Sequence, residues 1–69
     1  MFEEEIIEAA NEMLATSKFC SAEALFKIFL GKYEKKTIAS VLAKAYNQKK
    51  LAANNYFVQT TIVYFYENS

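Results

Sequence analysis

Residues Ser21 to Leu51, SAEALFKIFLGKYEKKTIASVLAKAYNQKKL, hold two helical patterns and the punctuation between them. Ser21 precedes an apolar stripe of Ala22, Leu25, Phe26, Phe29 and Leu30, and its hydroxyl suits the free N–H groups at a helix start. Gly31 is the only glycine in the chain. It stands just after the last periodic residue, where a left-handed backbone ends a helix. After a tight turn, a second pattern runs from about Glu34 to Lys49. It buries Ile38, Val41, Leu42, Ala45 and Tyr46, sets Lys36, Ser40, Ala43 and Asn47 opposite, and leaves Lys35, Thr37 and Lys44 on the flanks. Helices over about 21–30 and 34–49 are predicted.

N-terminal to this stretch, Phe2, Ile6, Ala10, Met13 and Leu14 share one helical face, with Glu4, Glu8, Asn11 and Glu12 opposite, so a helix over about 2–15 is predicted. Its acidic first turn suits the positive end of the helix dipole. Ala15-Thr16-Ser17-Lys18 breaks the pattern. C-terminal to Leu51 the period changes, because residues 57–66 are β-branched and aromatic and read as strand. The nearest partner for that strand is Leu51–Asn54, giving a hairpin over about 51–66 with its tip between Asn55 and Thr60. The predicted fold class is mainly α (α+β), a three-helix bundle followed by a C-terminal β-hairpin, filling residues 1–69 as a single domain.

Sixty-nine residues with an apolar share of 54% require a dense core, since so short a chain buries only about 60% of its unfolded surface. Cys20 has no partner for a disulfide, and no charged-then-apolar leader or long apolar run is present, so the cytoplasm is the expected compartment. Without His or Asp and with one Cys, a metal site would have to be built from glutamates, and neither a metal nor any other cofactor is expected. Catalysis has little foothold either. The glutamates at 4, 8 and 12 share an exposed stripe rather than contrasting environments, and no histidine is present to activate Ser or Cys. The chain is not expected to be an enzyme, to take a small-molecule substrate or to enter a membrane.

The formal net charge of zero hides an asymmetry. Glu3, Glu4, Glu5, Glu8 and Glu12 are the only charged residues of the first sixteen, whereas Lys18 to Lys50 carries eight lysines against Glu23 and Glu34. Such a basic tract marks either an anion-binding face or ordinary solvated surface.

The Ser21–Leu51 stretch resembles the helix-turn-helix of winged-helix DNA-binding proteins: a capped apolar helix, a short turn with a small residue (Gly31), a helix carrying Thr37-Ile38, Leu42 and Ala45-Tyr46, and a turn into a wing strand at Leu51. With the first helix and the hairpin the likeness spans nearly the whole chain. More loosely, the length and the aromatic Val63-Tyr64-Phe65-Tyr66 are similar to small pilus-operon regulators of enterobacteria. The resemblance implies a bacterial or phage transcription regulator bound to double-stranded DNA. Its third helix would enter the major groove, with Thr37, Ser40, Lys44 and Asn47 toward base edges and Lys35 and Lys36 on phosphates. Asn54, Asn55, Gln59 and Thr60 would be wing contacts, or else simply a polar turn.

Two departures bear on this. Lys49-Lys50 replaces the glycine that usually ends the third helix, and the chain has no arginine, the residue whose fork matches guanine; lysine supplies the charge alone, while Asn or Gln reads adenine. The alternative is a protein-interaction module on the same scaffold, for instance a small phage factor that inhibits a host protein. Two readings also stand for Tyr56, Tyr64 and Tyr66, a stacking platform for single strands or rings that pack the hairpin or meet a partner. Cys20 is either a redox-sensitive thiol or a small buried apolar residue. A homodimer through the first helix or the hairpin would double the basic surface presented to a palindromic site.

Overall fold

The computed structural model describes residues 2–59 and 62–67. The elements run α1 (Phe2–Ser17), β1 (Phe19–Ser21), α2 (Ala22–Ile28), α3 (Lys35–Asn47), β2 (Asn55–Gln59) and β3 (Ile62–Tyr66). Three helices pack against one antiparallel sheet of strand order β1-β3-β2, making a small α+β domain.

In α1 the four-residue spacing of Ile6, Ala10 and Leu14 puts all three in the core. The helix passes its predicted end because Thr16 turns its hydroxyl inward, donating to the carbonyls of Glu12 (3.1 Å) and Met13 (3.2 Å), which lets a poor helix former stay in a last turn. It stops at Lys18, whose φ of 61° is left-handed. Phe2, expected on the buried stripe, is exposed and rests against the Tyr33 ring at 5.8 Å.

The chain then forms a strand that the helical patterns do not foretell. Phe19, Cys20 and Ser21 pair with Tyr66, Phe65 and Tyr64 of β3. Ser21 serves two elements: it ends β1 in extended conformation, and its Oγ accepts the Ala24 N–H at 3.1 Å as the cap of α2. That helix is shorter than predicted. After Ile28 the backbone turns left-handed at Leu30 (φ 54°) and Gly31 (φ 81°), so the helical period no longer applies, and Leu30, expected in the core, is 90% exposed.

α3 buries Ile38, Val41, Leu42 and Ala45, with Tyr46 half-buried. Its end closes where a glycine would be expected. Lys49 adopts φ 60°, its N–H donates to the Tyr46 carbonyl (3.1 Å), and the Lys50 N–H reaches back to the Ala45 carbonyl (2.8 Å). This is the Schellman arrangement, built on lysine. The carboxamide of Asn11 in α1 then grips the turn, donating to the Lys50 carbonyl and accepting the Ala52 N–H.

The hairpin differs from expectation in its partner strand. Leu51–Asn54 is not strand; β3 pairs instead with Asn55–Gln59, in the register Asn55↔Tyr66 to Gln59↔Ile62. The stretch read as one strand is thus two, and their connection falls outside the described residues. Leu51 is buried and pins the chain just before the hairpin. Phe65, the largest fully buried side chain, brings β3 into the core with Ile6, Leu14, Leu25, Ile38 and Leu42. Each of these stabilises the fold by about 1.5–3 kcal/mol through burial. Among the described residues, no helix is long and apolar enough to cross a membrane.

Candidate nucleic-acid interface

One side of α3 is committed to the core, which decides what its other side presents. Positions 36, 40, 44 and 47 recur at three- and four-residue spacing, so Lys36, Ser40, Lys44 and Asn47 form one exposed stripe, and Lys35 is exposed beside it. Thr37 is half-buried on the flank. No residue from Lys35 to Asn47 is acidic.

The lysines of this face differ in their surroundings. Lys35 has its Nζ 5.5 Å from the centre of the Phe26 ring, a cation–π contact that tethers it toward α2. Lys44 lies 3.9 Å from a carboxylate oxygen of Glu3. Lys36 makes no ion pair among the described residues. The acidic and basic tracts of the sequence are therefore partly cross-linked in space, through Glu3 and Lys44 and again through Glu5 and Lys32 at 3.1 Å. Both contacts lie at the surface, where solvent screens such pairs and they contribute little to stability.

Glu5 is the centre of the second contact. It accepts hydrogen bonds from the Tyr33 hydroxyl and from Lys32, and these hold its carboxyl below its ordinary range. The same bond to Glu5 raises both Tyr33 and Lys32. Tyr33 also meets the Phe29 ring edge-on at 5.2 Å, so the cluster ties α1 to the turn between α2 and α3.

Of the hairpin candidates, Asn54, Asn55 and Gln59 are exposed, and Thr60 lies outside the described residues. Asn54 and Asn47 come together. Both line an open cleft of about 500 Å³ at the C-terminal end of α3, with Tyr46, Lys49, Leu51 and Ala53. The Tyr46 hydroxyl donates to the Asn54 carbonyl at 2.9 Å, fixing the hairpin's first residues against α3. Gln59, at the far end of β2, stands apart from this cleft.

The three tyrosines do not form one platform. Tyr56 faces the helices, with its ring 4.8 Å from Tyr46 and 5.4 Å from Phe65. Tyr64 and Tyr66 occupy the outer sheet face, together with Phe57 (5.1 Å from Tyr64) and Phe19 (5.4 Å from Tyr66). The period of two along each strand dictates this division. Sequence reasoning missed Phe19 and Phe57 as members of the outer cluster, because Phe19 reaches the sheet only through β1. Cys20 is fully buried, and burial pushes its thiol up to about 12, so it packs as a small apolar side chain.

Lys49 and Lys50 extend the exposed basic character past the end of α3. The region as a whole combines a helix without acidic residues of its own, met at Lys44 by Glu3 of α1, and a cleft lined by two carboxamides, groups suited to phosphate oxygens and to hydrogen-bonding edges. Set against known protein families, curated proteins and solved structures, the chain has no match.

Proposed function

We propose that the chain is a winged-helix domain that binds double-stranded DNA, with α3 in the major groove and the β2–β3 hairpin as the wing, and acts as a transcription regulator. The element order helix, strand, helix, helix, hairpin, with the first strand beside the last, agrees with that family's arrangement. The observation that carries the reading is the stripe Lys36–Ser40–Lys44–Asn47, exposed on a helix that has no acidic residue of its own and whose opposite side is held by the core. Lysine on this stripe neutralises phosphates, while Asn47, with Asn54 across the cleft, offers the donor and acceptor pair that suits adenine.

The test is binding to a random duplex pool at two salt concentrations, with the retained DNA sequenced. Retention that falls steeply with salt and enriches a motif is expected. Lys36→Glu with Lys44→Glu is expected to lower affinity by about tenfold or more at low salt, since each phosphate contact adds roughly one to the salt slope. Unchanged affinity in the folded double variant would rule out this face.

A second reading has its own support. Ile28 and Leu30 are exposed at and just beyond the end of α2, and Leu30 sits in a left-handed backbone that residues other than glycine seldom adopt. An apolar side chain held outward at such a cost suits a protein-interaction module, in the manner of a small phage factor that inhibits a host protein. Absence of duplex retention at low salt would shift the assignment to this reading.

A further inference from the structure

β2 is an outer strand of the sheet, with β3 on one side and, among the described residues, no strand on the other. All five of its residues are exposed. Three of them are large and apolar: Tyr56 (43%), Phe57 (46%) and Val58 (59%). An edge of this kind offers backbone N–H and C=O groups to any other extended chain, and proteins ordinarily blunt it with lysine, proline, a bulge or a covering loop. Asn55-Tyr56-Phe57-Val58-Gln59 carries neither charge nor proline, and its register with β3 runs without interruption.

We infer that β2 pairs antiparallel with β2 of a second copy about a two-fold axis through Phe57, joining two three-stranded sheets into one. The strand's own sequence selects a second copy as the occupant. A two-fold axis perpendicular to a sheet pairs residues equidistant from it, and centring on Phe57 is the register that overlaps all five. Phe57 then lies beside Phe57, Tyr56 beside Val58, and Asn55 beside Gln59. The first two are an aromatic pair and an aromatic with a β-branched residue, combinations that stabilise neighbouring strands. The faces agree as well. Phe57 belongs to the outer face with Tyr64, while Tyr56 and Val58 lie on the face of Phe65 and Val63, so each pair falls on one side of the joint sheet.

Charge and area set the strength of the association. No charge on β2 meets a like charge, so nothing along the strand opposes self-pairing. The three apolar side chains withdraw on the order of 300 Å² per copy, scaled from about 150–250 Å² for a fully buried aromatic. That is well under the roughly 800 Å² per partner of a standard stable interface. The dimer is therefore weak and concentration-dependent. It also closes: the contact uses β2 of both copies, and the edge that remains, β1, is only three residues long. The pairing does not rest on what α3 binds, but it draws on Asn55 and Gln59 of β2, which the wing reading also uses.

Sedimentation of the full chain from micromolar to millimolar concentration tests the inference, with the apparent mass expected to rise from 7.9 kDa toward twice that value. Phe57→Lys sets two ammonium groups side by side and is expected to weaken association at least about tenfold while leaving the helical circular dichroism intact. The register is read separately with Phe57→Cys. Directly opposed strand residues lie about 4.5–5.5 Å apart, within disulfide reach, so mild oxidation is expected to link Phe57→Cys dimers and not Asn55→Cys dimers. A monomer throughout the range, or a dimer indifferent to Phe57→Lys that gives no link at position 57, overturns the inference. If Phe57→Lys does not fold, the cross-link alone decides.

Discussion

The side chain of Asn11 and the backbone of Lys50 are joined across the molecule: Nδ2 donates to the Lys50 carbonyl at 3.1 Å, while Oδ1 of the same carboxamide accepts the Ala52 N–H at 2.8 Å. A residue in the middle of α1 thereby fixes the chain as it leaves α3, and with it the point from which the hairpin departs. Asn11→Ala removes both bonds and leaves an N–H and a carbonyl to find other partners. It is expected to cost about 1–3 kcal/mol, read as a lower urea midpoint with an unchanged slope. A loss under about 0.5 kcal/mol, the range of an ordinary surface change, would mean that the turn holds itself.

Lys49 occupies a left-handed position, φ 60°, at the close of α3. A side chain there crowds the following carbonyl, a cost of roughly 1–2 kcal/mol that glycine avoids, although glycine loses more freedom on folding. Lys49→Gly is expected to gain about 1 kcal/mol in thermal or chemical denaturation. Destabilisation instead would show that the lysine stem contributes contacts outweighing its backbone strain.

Stability should fall at both ends of the pH scale through the Glu5 cluster. Hydrogen bonds from Tyr33 and then Lys32 hold Glu5 below its ordinary 4.5. Its contribution is complete above that value and is lost as pH falls through the lowered one. The bond to Glu5 lifts Tyr33 above its ordinary 10.0 and Lys32 above 10.5. Those contributions are complete below these values and disappear as pH rises through the raised ones. Glu5→Gln is expected to flatten both limbs, and Tyr33→Phe to reduce the acid limb and remove its own share of the alkaline one. Profiles of Glu5→Gln that superimpose on the parent at both extremes would sink the assignment.

The helices were legible because burial has the helical period: Ile6, Ala10 and Leu14 in α1, and Ile38, Val41, Leu42 and Ala45 in α3, are spaced by the helix itself. Ser21 and Gly31 also announced their roles, one as a cap with a hydroxyl and one as a left-handed residue. β1 was not legible, since Phe19-Cys20-Ser21 is too short for a period of two to show and its partner lies at the other end of the chain. The hairpin was displaced for a related reason. No Asn-Gly or Asp-Gly dipeptide marks its turn, and every residue of β2 is exposed, so no buried alternation set its limits. Leu30 continued the apolar count but followed a backbone that had already left the helix. The exposed lysines of α3 could be read from spacing, whereas the cleft joining Asn47 and Asn54 could not, because it exists only once Tyr46 and Asn11 have fixed the turn after α3.

Phe65 links the order of synthesis to the order of folding. It is the largest fully buried side chain and belongs to β3, the strand that every helix precedes in the chain. Until β3 has been made, β1 has no strand to pair with, and Ile6, Leu25 and Leu42 enclose a space that lacks its main occupant. The three helices can already pack on one another, whereas the strand pairs of β3 and its contact with α2 arrive together and late. The step that completes the core is the same one that lays down the sheet.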